Sequence, residues 1–382
     1  MPLDVLALSG QVRQMGALLA RRRAEEHHRL TLVKALLEAY QDRWQDLAVL
    51  AEQARMRVAV PTGPLDERVP PSPRAQKYTA LAADGAEIDP DRHGGAGEFY
   101  LVNVGHAKIP YGQPERQVEL RSTTRLGYTD DDLFIVDPRD PRRQVPMRDR
   151  HLDALRTVQE VRTLAELAEG ETAQHAGVPA IALVDGTLLF SVLEERPRDF
   201  LRARFFSEFV DQLERLRQCH VPVAAYASRS RGVDLVNLFR WVSGVPDTAL
   251  RGLTDAQLLG PGLARWERSA VFRVRSNVHD AYYAGHQIFF FLLHIGVELA
   301  RVEVPEWVAQ DRTTLDSVHA ALVDQCAKGF GYPAVLARAD DRAVISLNDR
   351  TVLEMLVRQE LARRGIEARP SAKLIRKQVR TV

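Results

Sequence analysis

The sequence predicts an α/β fold: a sheet with parallel segments, flanked by helices and preceded by an N-terminal helical arm. Three observations predict it. Strand signals alternate with amphipathic helices through the middle of the chain, the pattern of strands joined by helical crossovers. The stretch "AIALVDGTLLF" is a continuous apolar run, as expected of a strand covered on both faces. Residues 1–55 place apolar side chains near helical spacing.

Taken in order, Leu6, Leu8, Val12, Met15, Leu18 and Leu19, then Leu30, Leu32, Val33, Leu36 and Leu37, mark a helical arm or hairpin suited to a dimer contact. "ARRRAEEHHR" between them reads as a solvated stretch or a bend. "VPTGPLDERVPPSPRAQ" (60–76) carries five prolines and reads as a linker or extended crossing segment. "YTALAADG" is a strand expected to stop at Asp84, and "EFYLVNVGHAKI" is a second strand. "LGYTDDDLFIV" offers a third. "RDRHLDALRTVQEVRTLAELAEG" is a long amphipathic helix with Leu152, Leu155, Val158, Val161, Leu164 and Leu167 on one face. The buried strand 178–190 follows, then helix "RDFLRARFFSEFVDQLERLRQC", strand "HVPVAAYAS" and helix "RGVDLVNLFRWV". "QIFFFLLHIG" and "VELARVEVPEWV" read as a strand pair, and two helices close the chain. Phe205, Phe206, Phe209 and the "FFF" at 289–291 read as packing residues rather than as base-stacking ones.

Composition narrows the chemistry. At 382 residues the chain is long for one compact domain and short for three. A net charge of +1 selects no partner in bulk, so nucleic-acid binding would need a local basic patch. The clear basic run is the tail, with Arg363, Arg364, Arg369, Lys373, Arg376, Lys377 and Arg380 against Glu367; it is either solvated or holds a DNA backbone. Cys219 and Cys326 lie far apart, which argues against a disulfide framework or a zinc site and fits a reducing cytoplasm. No signal peptide is apparent, and "IFFFLLHIGV" is too short and interrupted to span a bilayer.

Three acids stand out by context: Asp84 at the end of the first core strand, Asp185 inside the strongest apolar strand, and Glu160 on the helix between them. Glu160 lies one turn from Leu164 on the same side of its helix, near the apolar face. A buried carboxylate costs several kcal/mol unless it is paired or bound to a cation. Taken alone, each Asp-Gly pair is also a turn signal, and Glu160 is also half of an Arg156–Glu160 helix pair. If the acids meet, their hard oxygen ligands suit two Mg²⁺ or Mn²⁺ ions and phosphodiester chemistry.

The ordered series "AADGAEIDPDRH…FYLVNVG", "LRTVQEVRTLAELA", "AIALVDGTLLF", "VPVAAYASRSRGVDLVNLFR", "ERSAVF", "ARVEVPEWVAQD", "GYPAVLARADDRAV" and "SAKLIRK" resembles the NurA family of DNA double-strand-break repair nucleases. The resemblance covers roughly residues 76–380 and implies a ribonuclease H-like mixed sheet. It implies a domain layout of arm and linker over 1–75, nuclease domain over 76–345, and a C-terminal helix with basic tail over 346–382. It implies manganese-dependent DNA cleavage, with Mg²⁺ an alternative and two ions, in the form of 5′→3′ exonuclease and single-strand endonuclease activity. It further implies a homodimer acting with a hexameric HerA-type translocase on single- and double-stranded DNA in end resection, in the cytoplasm at the nucleoid.

By the same resemblance Asp84, Glu160 and Asp185 fall on the family acids, with Glu166 in reserve for the helix position. Ala86 replaces a usual serine. Asp340 stands where the family has histidine; a carboxylate can ligate a hard cation there, but it is not a neutral base near pH 7. Tyr226 is expected either at the substrate or in the core. Arg229, Arg231 and Arg268 either hold phosphates through guanidinium forks or form surface ion pairs. Glu87 and His93 read as loop residues beside Asp84. The competing reading is a non-catalytic DNA-binding adaptor that regulates a translocase, to which the substituted histidine points. A small-nucleotide enzyme is disfavoured because no P-loop and no GxGxxG follow a strand.

Overall fold

The computed structural model describes residues 4–90, 98–190, 193, 198–246, 248–283 and 285–366. The chain forms two compact units, each drawn from two stretches: Met1–Ser72 with Ala227–Ala309, and Pro73–Tyr226 with Gln310–Val382. The expected single span 76–345 is thus shared between both.

The first unit begins with helix α1 (Val5–Tyr40), α2 (Trp44–Glu52) and strands β1 (Val58–Pro61) and β2 (Arg68–Val69). "ARRRAEEHHR" makes no bend; it lies within the continuous α1. The Pro-rich segment is not merely a linker, since β1 and β2 fall in and around it and pair with strands from the later stretch.

In the second unit the chain continues through β3 (Tyr78–Ile88), β4 (Tyr100–Tyr111), β5 (Glu119–Gly127), α3 (Asp130–Leu133), the hairpin β6 (Phe134–Asp137) and β7 (Asp140–Pro146), α4 (Arg150–Gln174) and β8 (Ala180–Asp185). Helices α5 (Arg198–Leu201) and α6 (Ser207–Gln218) then lead into β9 (Val223–Ala227). The strands run in the order β9-β8-β3-β4-β5. β3, β4 and β5 are antiparallel, whereas β8 pairs parallel with both β3 and β9. This is the mixed sheet, three antiparallel strands continued by parallel ones, that the resemblance implies. Burial explains the centre: Tyr78–Ala83 of β3 are covered throughout, as a strand under helices must be. α4 supplies one cover, burying Leu152, Leu155, Val158, Val161, Leu164 and Ala168 at helical spacing.

Two boundaries differ from expectation. β3 does not stop at Asp84; it runs on to Ile88 in unbroken register with β4, including Asp84↔Gly105 and Gly85↔Val104. A locally turn-like Asp-Gly is overridden because β4 supplies the partner backbone. The strand at 178–190 is shorter than expected, since β8 ends at Asp185 and Gly186 turns with a positive φ of 91°.

The first unit resumes with α7 (Asp234–Ser243), α8 (Asp255–Leu259), β10 (Arg268–Ser269), β11 (Phe272–Arg275), α9 (Asn277–Tyr282), β12 (Ile288–His294), β13 (Leu299–Pro305) and α10 (Glu306–Ala309). β12 and β13 form the expected pair, with Phe289, Phe290 and Phe291 buried. A charge cluster fixes α7: Arg301 reaches Asp234 at 2.8 Å and Glu303 at 2.7 Å, while Asp255 accepts the Asp234, Leu235 and Val236 amides. The second unit closes with α11 (Arg312–Lys328), α12 (Ala334–Ala343) and α13 (Leu347–Arg363). Phe190, Phe206 and Phe209 pack ring against ring in its core. Among the described residues, no helix is long and apolar enough to cross a membrane.

Candidate active site

Strand register brings the first two acids together. Ala83 pairs with Val184 between parallel β3 and β8, so one step further Asp84 and Asp185 stand side by side. Neighbouring strands lie about 4.8 Å apart. The next strand places Tyr226 opposite Asp185, and the Gly186 amide donates to the Tyr226 carbonyl at 3.0 Å.

Glu160 reaches the same rim from α4. Gly85 permits it: a Cβ there would lie 2.6 Å from Arg156 Cγ and 2.7 Å from Glu160 Oε1. Glu160 is buried, 4% exposed. Arg156 holds it, donating from Nη1 at 2.8 Å, and also pairs with Glu87 at 2.8 Å and with Asp153. The helix pair and the buried-acid reading are therefore both realised, and Glu87 is a strand residue on Arg156 rather than a loop residue.

Asp340 arrives on α12. Gly105, the β4 partner of Asp84, makes room for it: a Cβ at Gly105 would collide with backbone atoms of Ala339, Arg342 and Ala343. Asn103 Nδ2 locks the helix end by donating to the Arg342 and Ala343 carbonyls at 3.1 and 2.9 Å.

The carboxylates sense one another. Asp84 is pushed up to about 6, first by burial, then by Asp185 and Asp340, against the Gly85 amide, which donates at 2.8 Å, and Arg156. Partial enclosure raises Asp185 above the usual carboxylate range, with Asp340 adding to the rise; a Tyr332 side-chain hydrogen bond and the Gly186 amide oppose it. Glu160 is pushed up to about 8 by burial, with Asp84 adding to the rise and Arg156 opposing it. Clustered anions with raised proton affinity and only oxygen donors fit a hard divalent cation. Among the described residues, no three His, Cys, Asp or Glu side chains are drawn in closely enough to hold a metal ion.

A model of the NurA domain matches residues 78–345. The chain belongs to the NurA family. It is similar in structure to the NurA nuclease from Sulfolobus solfataricus, with 14% identity over 89% of this chain and 99% of that one, at a TM-score of 0.50. A NurA structure bound to dAMP and manganese matches at 11% identity over 86% of this chain and 95% of that one, with a TM-score of 0.41. Another NurA structure with manganese gives 10% identity over 76% and 90%, with a TM-score of 0.41. No curated protein matches the chain in sequence.

Within the candidate site of this NurA chain one residue escaped the sequence reading. Tyr332 lies within the fields of Asp185, Asp84 and Asp340, and burial together with those acids pushes its hydroxyl well above the usual phenol range. The "GYP" around it resembles a turn; its position two residues ahead of α12 was the available signal. Tyr226, by contrast, is buried in the core, its ring edge-on to Tyr332 and its hydroxyl donating to the Gly331 carbonyl at 3.3 Å. It packs against Tyr332, the core alternative of the two expected. Glu166 is exposed and belongs to the field of Arg215, not of Asp84, so α4 presents Glu160.

The arginines belong to the other unit. Arg229 is exposed at a positive φ of 46° and pairs with Glu298 at 3.2 Å, the ion-pair alternative. Arg231 is exposed. Arg268 is only 4% exposed, its guanidinium 5.8 Å from the Phe291 ring centre, which makes it a packing residue unable to present a fork to phosphate. Lys373, Arg376 and Lys377, like His93, lie outside the described residues.

Proposed function

We propose that this NurA chain is a metal-dependent deoxyribonuclease that hydrolyses DNA phosphodiesters. The observation that carries this reading is geometric: strand register sets Asp84 beside Asp185, Glu160 lies against Gly85, and the helix that carries Asp340 packs on Gly105. Asp84, Glu160, Asp185 and Asp340 are the residues that would hold the cation. Mn²⁺, or Mg²⁺ in its place, supplies Lewis-acid polarisation of the phosphate and activation of water when bound, and four carboxylates are enough for two ions. The chain's own groups prepare the site. Tyr332 stands beside Asp185 and favours its charged form. Arg156 keeps Glu160 anchored beside Gly85 and offsets its charge. Asn103 and Gly105 set α12 and hence Asp340.

The finer reading is a 5′→3′ exonuclease and single-strand endonuclease acting in end resection and double-strand-break repair with a hexameric HerA-type translocase. The sequence has no P-loop, so ATP dependence belongs to the partner. Arg231 and the tail residues Lys373, Arg376 and Lys377 are the proposed DNA-backbone contacts. Val5, Leu8, Val12, Met15 and Leu19 form an exposed stripe at alternating three- and four-residue spacing on α1, which supports a homodimer. The cytoplasm, at the nucleoid, is the proposed location.

The test is degradation of single- and double-stranded DNA by the purified protein with Mn²⁺, Mg²⁺ or EDTA. Cleavage with Mn²⁺ that Asp185→Ala abolishes, with DNA binding retained, is the expected result. Inactivity in every metal, together with stimulation of a partner ATPase, would establish the adaptor instead.

A further inference from the structure

Phe330 is 99% exposed and sits at a positive φ of 56°. Both features are costly for an aromatic residue. Its backbone position is well defined. The Gly331 amide donates to the Cys326 carbonyl at 2.8 Å, and the Gly329 amide to the Gln325 carbonyl at 2.9 Å. These bonds end α11 in a Schellman-type turn with Phe330 at the left-handed position, where glycine is the low-strain choice. The turn is tight, because a Cβ on Gly329 would collide with the Tyr332 carbonyl.

The turn is also tied to the active site. Gly331 accepts from Tyr226, which pairs with Asp185 across the strands and meets the Tyr332 ring edge-on. Two residues of chain span at most about 7 Å, so Phe330 stands close to Tyr332. A bulky aromatic stands at a glycine-type position, in water, two residues from Tyr332.

We propose that Phe330 is a substrate-contacting residue that stacks on an unpaired base of single-stranded DNA as the strand enters the site. This rests on the nuclease reading. A base offers a π-face to any aromatic ring and so requires no surrounding apolar patch. A protein partner would, since interface anchors are ringed by other apolar groups. Phe330 lacks that ring within its turn: Gly329 and Gly331 have no side chains, and Lys328 is engaged by Asp324 and the Tyr111 ring.

The experiment compares the full-length chain with Phe330→Gly and Phe330→Trp, using a fluorescently labelled single-stranded oligothymidylate at fixed salt. Binding is measured in EDTA and cleavage in Mn²⁺. Phe330→Gly should weaken binding about five-fold or more and raise KM in proportion, with kcat nearly unchanged. Its thermal midpoint should hold or rise as the strain is relieved, an outcome that a merely structural role would not give. Phe330→Trp should keep wild-type affinity, and its added emission should be quenched by the oligonucleotide. Wild-type affinity and KM in Phe330→Gly would overturn the stacking role while leaving the nuclease reading in place, and would point to a protein contact. Failure of the wild-type chain to bind or cut the oligonucleotide would overturn both.

Discussion

Glu160 Oε1 accepts a hydrogen bond from Arg156 Nη1 at 2.8 Å, and the same nitrogen reaches the Gly85 carbonyl at 3.2 Å. One guanidinium thereby clamps a buried helix acid to the strand that carries Asp84. Arg156→Ala leaves Glu160 buried without its cation. Stability in EDTA, measured by urea unfolding at about pH 9 where Glu160 is ionised, should fall by about 3 kcal/mol, the scale for breaking a buried pair. A loss under about 1 kcal/mol would mean that the pair behaves as a solvated surface bridge.

Asp185 bears more on chemistry than on folding. It ends β8 at an exposed position, and its charge is disfavoured by partial enclosure and by Asp340, while Tyr332, the Gly186 amide and Arg156 favour it. Asp185→Asn should leave the thermal midpoint in EDTA unchanged or slightly higher, since like-charge repulsion is relieved. Cleavage with Mn²⁺ should drop about a thousand-fold, the equivalent of several kcal/mol of lost transition-state stabilisation. Activity within ten-fold of wild type, or loss of folding, would remove Asp185 from the proposed set.

What the sequence revealed, and what it hid, divides along the range of the interaction. Asp185 was visible because the apolar run before it is local. Glu160 was visible because helical spacing ties it to Leu164. The continuation of β3 past Asp84 was hidden, because its eleven-residue register is supplied by β4 from a later stretch. β5 was missed, and a strand was expected later instead, because "ELRSTTRLG" is exposed through most of its length and shows no apolar alternation. Tyr332 was missed because its role depends on the turn that aims it at Asp185. Arg268 was misjudged because charge suggests a surface, and only the packed ring of Phe291 shows otherwise.

Glu171 gives a pH signature away from the proposed metal ligands. Burial raises its pKa, but the Arg116 fork, at 2.7 Å for its longer arm, and the Thr79 hydroxyl at 2.7 Å outweigh this, so it ends below its ordinary 4.5. A depressed carboxylate means that the unfolded chain binds more protons. Its stabilisation is complete above about 4.5 and is lost as pH falls through the lower folded value. Glu171→Gln should therefore cost about 3 kcal/mol at pH 7 by chemical denaturation. The gap from wild type should narrow as the pH drops below 4.5. A gap that stays constant down to pH 3 would rule out this pair as the source.

Gly105→Ala tests how Asp340 is positioned. The added methyl would meet the backbone of Ala339, Arg342 and Ala343, which cannot rotate away as a side chain could. α12 must lift from β4, at a cost of about 2 kcal/mol for overpacking. The Asn103 bonds to its last carbonyls should weaken as well. If α12 serves to present Asp340 beside Asp84, cleavage should fall in Gly105→Ala at temperatures well below its melting point. Asp340→Asn should reproduce that loss with no loss of stability, because Asp340 is exposed and its charge adds to the repulsion felt by Asp84 and Asp185. Full activity in Asp340→Asn combined with a loss in Gly105→Ala would transfer the effect to Asp84, the strand partner of Gly105, and would remove Asp340 from the site.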